Sequence, residues 1–200
     1  MAGPGETFKA RVRQLESVYL ESDDPIMQSG FSGGMDRWVA ERSPLVKGID
    51  RDGDFLDVGC ANGLLAQDVA RWSAERGIEV VPYGIDIGSR MVELARDRLP
   101  EFAANFQVAD PWDWEPKRQW TFVYSLLDLS PEEMWCEWLS VLSGLVEPAG
   151  RLIVGSYGSR SRREPPADVA AVMGACGWVV DSSSCGGDPV TSRFAWSSIS

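Results

Sequence analysis

Phe55-Leu56-Asp57-Val58-Gly59-Cys60-Ala61-Asn62-Gly63 is the stretch on which the reading of the chain turns. An apolar run ends in an acid, and a glycine-x-x-x-glycine turn follows. Beyond it Leu64, Leu65, Val69 and Trp72 recur at helical spacing, so the stretch reads as strand, tight turn, helix. Gly59 allows a sharp turn and leaves no side chain over the crevice, and Gly63 lets the helix sit close to the strand. A turn of this kind sets backbone N–H groups and a helix N-terminus at the carboxyl end of a parallel strand, where open α/β sheets bind ligands. It is not the dinucleotide fingerprint G-x-G-x-x-G, because Ala61 stands at the second glycine's place.

Outward from this stretch the chain alternates strands and helices. Val80–Asp86 predicts a second strand that also ends on an acid, 23 residues past Gly63 (86 − 63). That is close to the ~20-residue offset of an acid that binds ribose hydroxyls. Met91, Leu94, Ala95 and Leu99 mark a helix, and Asn105–Ala109 a short strand before Asp110. Trp120–Ser125 predicts a fourth strand. Ser130-Pro131-Glu132-Glu133 then has the composition of a capping box, with Ser130 as N-cap of a long helix closed at Glu147–Gly150. Arg151–Tyr157 is the fifth strand, Val169–Cys176 an amphipathic helix, and Trp178–Asp181 and Arg193–Ser198 a closing hairpin around Gly186–Pro189. On the N-terminal side, Phe8, Val12, Leu15 and Tyr19 line one face of a helix, Gln28–Gly34 is a glycine-rich loop, and Met35–Val46 a second helix. The alternation predicts parallel β-α-β units with one antiparallel strand at the end.

Asp57-x-Gly59-x-x-x-Gly63 resembles the first motif of the class I S-adenosylmethionine (SAM) methyltransferases, and the resemblance recurs in order along the chain. Tyr83-Gly84-Ile85-Asp86-Ile87 resembles the second motif, Ala109-Asp110-Pro111 the third, and Leu145-x-Glu147-Pro148-x-Gly150-Arg151-Leu152-Ile153-Val154 the fifth-strand signature, with Ala149 where glycine is commoner. The resemblance covers residues 38–198 and implies a Rossmann-like, doubly wound seven-stranded sheet of order 3-2-1-4-5-7-6 with strand 7 antiparallel. Residues 1–50 are then expected as a helical lid and 51–200 as the SAM-binding core of a single domain.

The resemblance also implies roles. Asp86 accepts from both ribose hydroxyls in a charge-assisted pair, beside Ile87 as an apolar face for adenine. Asp110 and Pro111 hold the adenine edge, with Trp112 as cover or as part of a surface cluster with Trp114 and Trp120. Asp57, Gly59, Cys60, Ala61 and Gly63 form the turn around the methionine end, Asp57 towards its amino group, and Ser125 follows on the fourth strand. Arg42 either pairs with the methionine carboxylate or sits on a solvated helix face. A methyl acceptor that is an alcohol or phenol benefits from a base. With no histidine in the chain, Asp128 and Tyr157, at the ends of the fourth and fifth strands, are the catalytic candidates. Tyr19, Phe31, Trp38, Arg160 and Arg162 are expected to bind the acceptor, with the Gly158–Glu164 loop drawing an acidic substrate. The product would be S-adenosylhomocysteine (SAH).

Composition narrows the alternatives. Two hundred residues suit one domain, and the net charge of −11 disfavours nucleic acid and anionic membranes as partners. Ser125-Leu126-Leu127-Asp128 lacks the Asn/Asp-Pro-Pro-aromatic pattern of enzymes that methylate nucleobase amines. No acid cluster has metal-ligand spacing, so no metal is expected. No apolar run reaches the roughly 18 residues of a membrane span. Cys60, Cys136, Cys176 and Cys185 form no C-x-x-C pair, from which reduced thiols and a cytoplasmic protein are expected. The expectation is an enzyme of specialised metabolism that methylates a small molecule on oxygen or nitrogen. An RNA methyltransferase and a SAM- or SAH-binding regulator are the alternatives.

Overall fold

The computed structural model describes residues 3–5, 10, 14 and 16–199. Phe8, Val12 and Leu15 of the expected N-terminal helix lie outside these residues; Tyr19 closes a helical turn at 16–19. A one-turn α1 (Pro25–Gln28) and α2 (Met35–Arg42) precede the sheet, and a 3-10 turn (Ser43–Gly48) continues α2. Then come β1 (Gly53–Val58), α3 (Leu64–Ala74), β2 (Val80–Asp86), α4 (Ser89–Arg98), β3 (Phe106–Val108) and β4 (Trp120–Leu126). The chain ends with α5 (Trp135–Ser143), β5 (Val146–Tyr157), α6 (Val169–Ala175), β6 (Ser182–Gly186) and β7 (Ser192–Ser198).

The sheet has seven strands in the order β3-β2-β1-β4-β5-β7-β6, as the resemblance implied. β1 to β5 pair in parallel, and β7 runs antiparallel to both β5 and β6. Alternate residues of one strand feed opposite layers. Phe55, Phe122, Tyr124 and Phe194 pack with Trp38, Leu45 and Ile49 on one side of the sheet. Leu56, Val58, Val123 and Leu152 pack with Trp138, Leu139, Leu142 and Met173 on the other. The segment from Ile26 to Ile49 thus shares the core with the strands.

Four local expectations are corrected. Ser130 does not cap α5: Pro131 is extended (ψ 148°), a 3-10 turn at Glu132–Met134 intervenes, and α5 starts at Trp135 without a side-chain cap. Glu147–Gly150 does not end that helix. β5 already starts at Val146, opposite Trp120, and a register shift with Ala149 at φ 62° brings Arg151 opposite Phe122. The sixth strand is Ser182–Gly186 and not Trp178–Asp181. Trp178 and Val180 are apolar because they pack on the α5–α6 layer, whereas the serines pair with β7 through backbone alone. Finally, the thiols are not all reduced: Cys136 and Cys176 form a disulfide. They are 40 residues apart in sequence, but α5 and α6 lie on the same side of the sheet, which brings their Cα atoms to 5.2 Å.

Gly63 shows why the founding motif needs its second glycine. Its φ is +73°, and a Cβ there would fall 2.9 Å from the Ala95 Cβ and 3.1 Å from the Ala95 Cα of α4. Gly77, which closes α3, has φ +74° but open space around it. Gly77→Ala should therefore cost only left-handed strain, roughly 1–2 kcal/mol, and Gly63→Ala distinctly more, because backbone must move. Urea denaturation of the two variants measures the difference; equal costs would mean that α4 yields freely.

Candidate functional site

β1 and β4 are neighbours whose following helices cover opposite faces, so a crevice opens beyond their carboxyl ends. A cavity of about 770 Å³ lies there. It brings together Tyr19, Phe31, Trp38 and Arg42 from the N-terminal segment, Asp57, Gly59, Cys60 and Ala61 from the turn, and Asp128, Tyr157, Arg160 and Arg162 from the ends of β4 and β5.

The turn is held from β2. Gly59 N and Cys60 N donate to the Ile85 carbonyl at 2.8 and 3.0 Å. Ala61, at φ 44°, donates its N–H to Asp86 Oδ2 at 2.9 Å, and Gly88 N donates to Asp86 Oδ1 at 2.8 Å. Asp86 is thus a brace for the turn and keeps lone pairs for a further donor. Burial raises its carboxyl above the usual range, while these N–H groups pull it down. Glu16 lies beside it and adds to the upward shift. Tyr19 reaches over Gly30, where a Cβ would fall 2.6 Å from the phenol oxygen. Asn62 accepts from Leu64 N at the start of α3 and donates to the Pro25 carbonyl, which ties the turn to α1.

Two groups in the cavity wall are buried and unmatched. Asp57 is 2% exposed and accepts no hydrogen bond from the described residues. Burial first, and the charge of Asp86 second, push its carboxyl up to about 8. Arg42 is 5% exposed. Its guanidinium lies 3.4 Å from the centre of the Tyr157 ring and 4.6 Å from that of Phe31, and its Nη1 has no hydrogen-bond partner. Glu41 Oε2 is 3.8 Å away, too far to serve as one. Trp38, which edges onto Phe31, is anchored through Nε1 to Asp68 at 2.7 Å.

Tyr157 and Tyr124 share a hydrogen bond of 2.8 Å between their hydroxyls, and burial raises both phenols. Asp128 is open to the cavity, yet the surrounding protein lifts its carboxyl above the usual range, with Arg162 pulling it back. A carboxyl so raised is a stronger base once ionised.

The remaining expected residues do not line this cavity. Asp86 and Ile87 end β2 beside it. Asp110 accepts from Trp112 N at 3.1 Å, and Trp112 stacks on Trp138 at 5.2 Å. Pro111 and Trp112 line a separate open groove of about 550 Å³. Ser125 is fully buried and donates to the Val58 carbonyl, bonding β4 to β1. Gly63 packs on α4. The sequence reading missed Arg37, Glu41 and Tyr124 in the wall. The Arg37–Glu41 spacing of i, i+4 was a signal for the first two. Among the described residues no group of three or more His, Cys, Asp or Glu is placed to hold a metal ion.

Strand order, turn and cavity define a class I methyltransferase fold. Residues 55–150 match the family described as a methyltransferase domain. No curated protein sequence matches the chain. Among solved structures, the magnesium protoporphyrin IX methyltransferase ChlM of Synechocystis PCC 6803 with bound SAH is similar, with a TM-score of 0.67 at 20% identity, over 96% of this chain and all of that one. The 1,6-didemethyltoxoflavin-N1-methyltransferase of Burkholderia thailandensis, solved with its substrate and SAH, gives 0.68 at 13% identity over 100% of this chain and 92% of that one. The N-methyltransferase NodS of Bradyrhizobium japonicum WM9, with SAH, gives 0.61 at 15% identity over 94% and 97%.

Asp57 makes stability depend on pH in a defined direction. Its folded carboxyl titrates near 8, far above the 3.8 of an unhindered one, so the fold favours the neutral acid. The associated stability is present below about pH 4 and is lost as pH rises towards 8. Asp57→Asn, which cannot ionise, should therefore stabilise the protein by at least about 1 kcal/mol at pH 8, since a tenfold change in a protonation equilibrium corresponds to about 1.36 kcal/mol. The gain should vanish near pH 4. Thermal unfolding of both proteins across this range reads it, and a gain independent of pH would mean that Asp57 is not the titrating group.

Proposed function

We propose that the protein binds SAM in the cavity beyond β1 and β4 and methylates a small molecule there. The carrying observation is that one cavity holds a buried cation and a buried acid that both lack hydrogen-bond partners: Arg42 Nη1, with Glu41 no nearer than 3.8 Å, and the Asp57 carboxyl. An amino-acid end, with its carboxylate and ammonium, is the complement of that pair. When bound, SAM supplies an electrophilic methyl group on a sulfonium. The rest falls to the protein. Arg42 receives the methionine carboxylate and Asp57 the ammonium. Asp86, fixed by Ala61 and Gly88, receives ribose hydroxyls with its free lone pairs, and Asp110 with Ile87 serves an adenine that extends past the end of β2, outside the cavity that takes the methionine end.

Asp128 takes the proton of an acceptor hydroxyl or amine, and Tyr157, oriented by Tyr124, holds the acceptor by its hydroxyl. Tyr19 over Gly30 supports the segment 1–50 as a cover that excludes water from the cavity. An oxygen or nitrogen acceptor and a role in specialised metabolism complete the proposal and rest on the sequence; a cytoplasmic location belongs to the same reading, but reduced thiols are no longer a ground for it because Cys136 and Cys176 are paired.

Calorimetric titration with SAH should give one site per chain without added metal. No heat and no thermal shift at millimolar SAH would sink the proposal. Binding should also move a proton. At pH 7 Asp57 is mostly neutral, its carboxyl titrating near 8, and an arriving ammonium ionises it. The measured enthalpy should then vary with buffer ionisation enthalpy by up to about one proton at pH 7. The dependence should shrink at pH 9 and be absent in Asp57→Asn.

A further inference from the structure

Glu41 is 3% exposed and gathers three guanidinium groups. Its Oε1 accepts from Arg37 Nε at 3.2 Å and Nη2 at 3.1 Å, and lies 3.4 Å from Arg160 Nη2. Its Oε2 is 3.8 Å from Arg42 Nη1. One carboxylate thus faces three cations, which leaves an excess of positive charge in the cavity wall of a chain whose net charge is −11. Arg37 and Arg42 come from α2, and Arg160 from the loop after β5, where its Nη2 also donates to the Asp188 carbonyl at 3.0 Å. The loop's other arginines differ. Arg162 is paired with Glu164 at 2.7 Å, and Arg163 is not in the cavity wall.

The geometry leaves donors free. Arg37 uses Nε and Nη2 on Glu41, and Arg160 uses Nη2, so Arg37 Nη1 and Arg160 Nη1 and Nε have no hydrogen bond to the described residues. Their side chains line the cavity and are 38% and 37% exposed, so an incoming molecule can reach the free donors. Two guanidinium forks held side by side by a buried counter-ion are suited to a planar or tetrahedral oxyanion.

We infer that the methyl acceptor carries an oxyanion, a carboxylate or a phosphate, received between Arg37 and Arg160, with Glu41 as the counter-ion that sets the two arginines in place. The inference rests on the proposed function, which commits Arg42 to the methionine carboxylate and leaves the outer pair for the acceptor. Steering by these charges works over the 8–10 Å that salt screening allows.

The test uses SAH-saturated protein at low salt, titrated with inorganic phosphate and, separately, with benzoate, and followed by calorimetry. At least one anion should bind saturably. Arg160→Ala and Arg37→Ala should each weaken that binding about tenfold or more, the scale of a lost charge-assisted contact, and Lys47→Ala should not. Phosphate alone binding assigns a phosphate acceptor, and benzoate alone a carboxylate. Retained SAH affinity certifies that each variant is folded; if Arg37→Ala fails this, Arg160→Ala decides. Normal SAH binding with no saturable anion, or with wild-type anion affinity in Arg160→Ala, overturns the inference alone. Absence of SAH binding to the wild type overturns the proposed function and the inference with it.

Discussion

Two carboxyl groups, Asp57 and Asp86, stand at the ends of adjacent parallel strands, and the sheet brings both into the protein. β1 and β2 pair with Asp57 opposite Gly84 and Val58 opposite Ile85, so Asp86 projects just beyond the end of β1. There it meets the turn that leaves β1 and takes the N–H groups of Ala61 and Gly88. An ionised group with oriented backbone donors can be tolerated in a half-buried place. Asp57 has no such donors and is left largely neutral by its surroundings. The same strand pairing therefore yields one acid that holds the structure together and one that weakens it. A cost of that kind is concentrated where a fold serves a ligand rather than itself.

The opposite charge is handled by aromatic surface. Arg42 sits between the rings of Tyr157 and Phe31, with Trp38 at 5.1 Å. Ring faces carry negative charge density and stabilise a cation without neutralising it. A carboxylate in hydrogen-bonding contact with Nη1 would do both and close the site to an anion. Glu41, placed at 3.8 Å, attracts the cation but makes no hydrogen bond to Nη1, so that donor stays available to an anion. The Tyr157 ring is fixed in turn by the Tyr124 hydroxyl and by the edge of Phe194, so β4, β5 and β7 all bear on where one guanidinium lies.

The fold was legible because its signals are local. An apolar strand, a glycine that must take φ +88° at Gly59 and a helical repeat lie within a few residues of one another, and the pattern recurs along the chain. The same locality exposed Asp57 and Asp86 as strand-end acids. What failed depended on tertiary placement. Trp178 and Val180 are apolar for the sake of a helix layer, and in sequence such a run has the pattern of a strand. Ser130 has capping chemistry, but Pro131 turns the chain away before a helix can begin. Cys136 and Cys176 meet only because two helices share a face of the sheet. Ser125 carries no mark in sequence that it faces the β1 backbone rather than the crevice.

Glu41 shows the same limit from the side of function. In sequence it is one acid in Asp36-Arg37-Trp38-Val39-Ala40-Glu41-Arg42, part of the second helix, and only the i, i+4 spacing to Arg37 marks it. The fold buries it because α2 packs Trp38 into the core, which turns the Glu41 side of the helix towards β5 and the loop beyond it. A single acid cannot neutralise arginines that reach it from two separate segments, so the surroundings of Glu41 are positive once Arg160 joins a helix whose own two acids and two arginines balance. With Asp57 held largely neutral near pH 7, the carboxylate left in the wall besides Glu41 is Asp128, and Arg162 faces it. The two features reinforce each other: the burial that lifts the Asp57 carboxyl also leaves the arginines as the dominant charge an incoming molecule meets. Acidity of the chain as a whole and basicity of its cavity are therefore compatible, because each is set by different residues, and only the second bears on the acceptor.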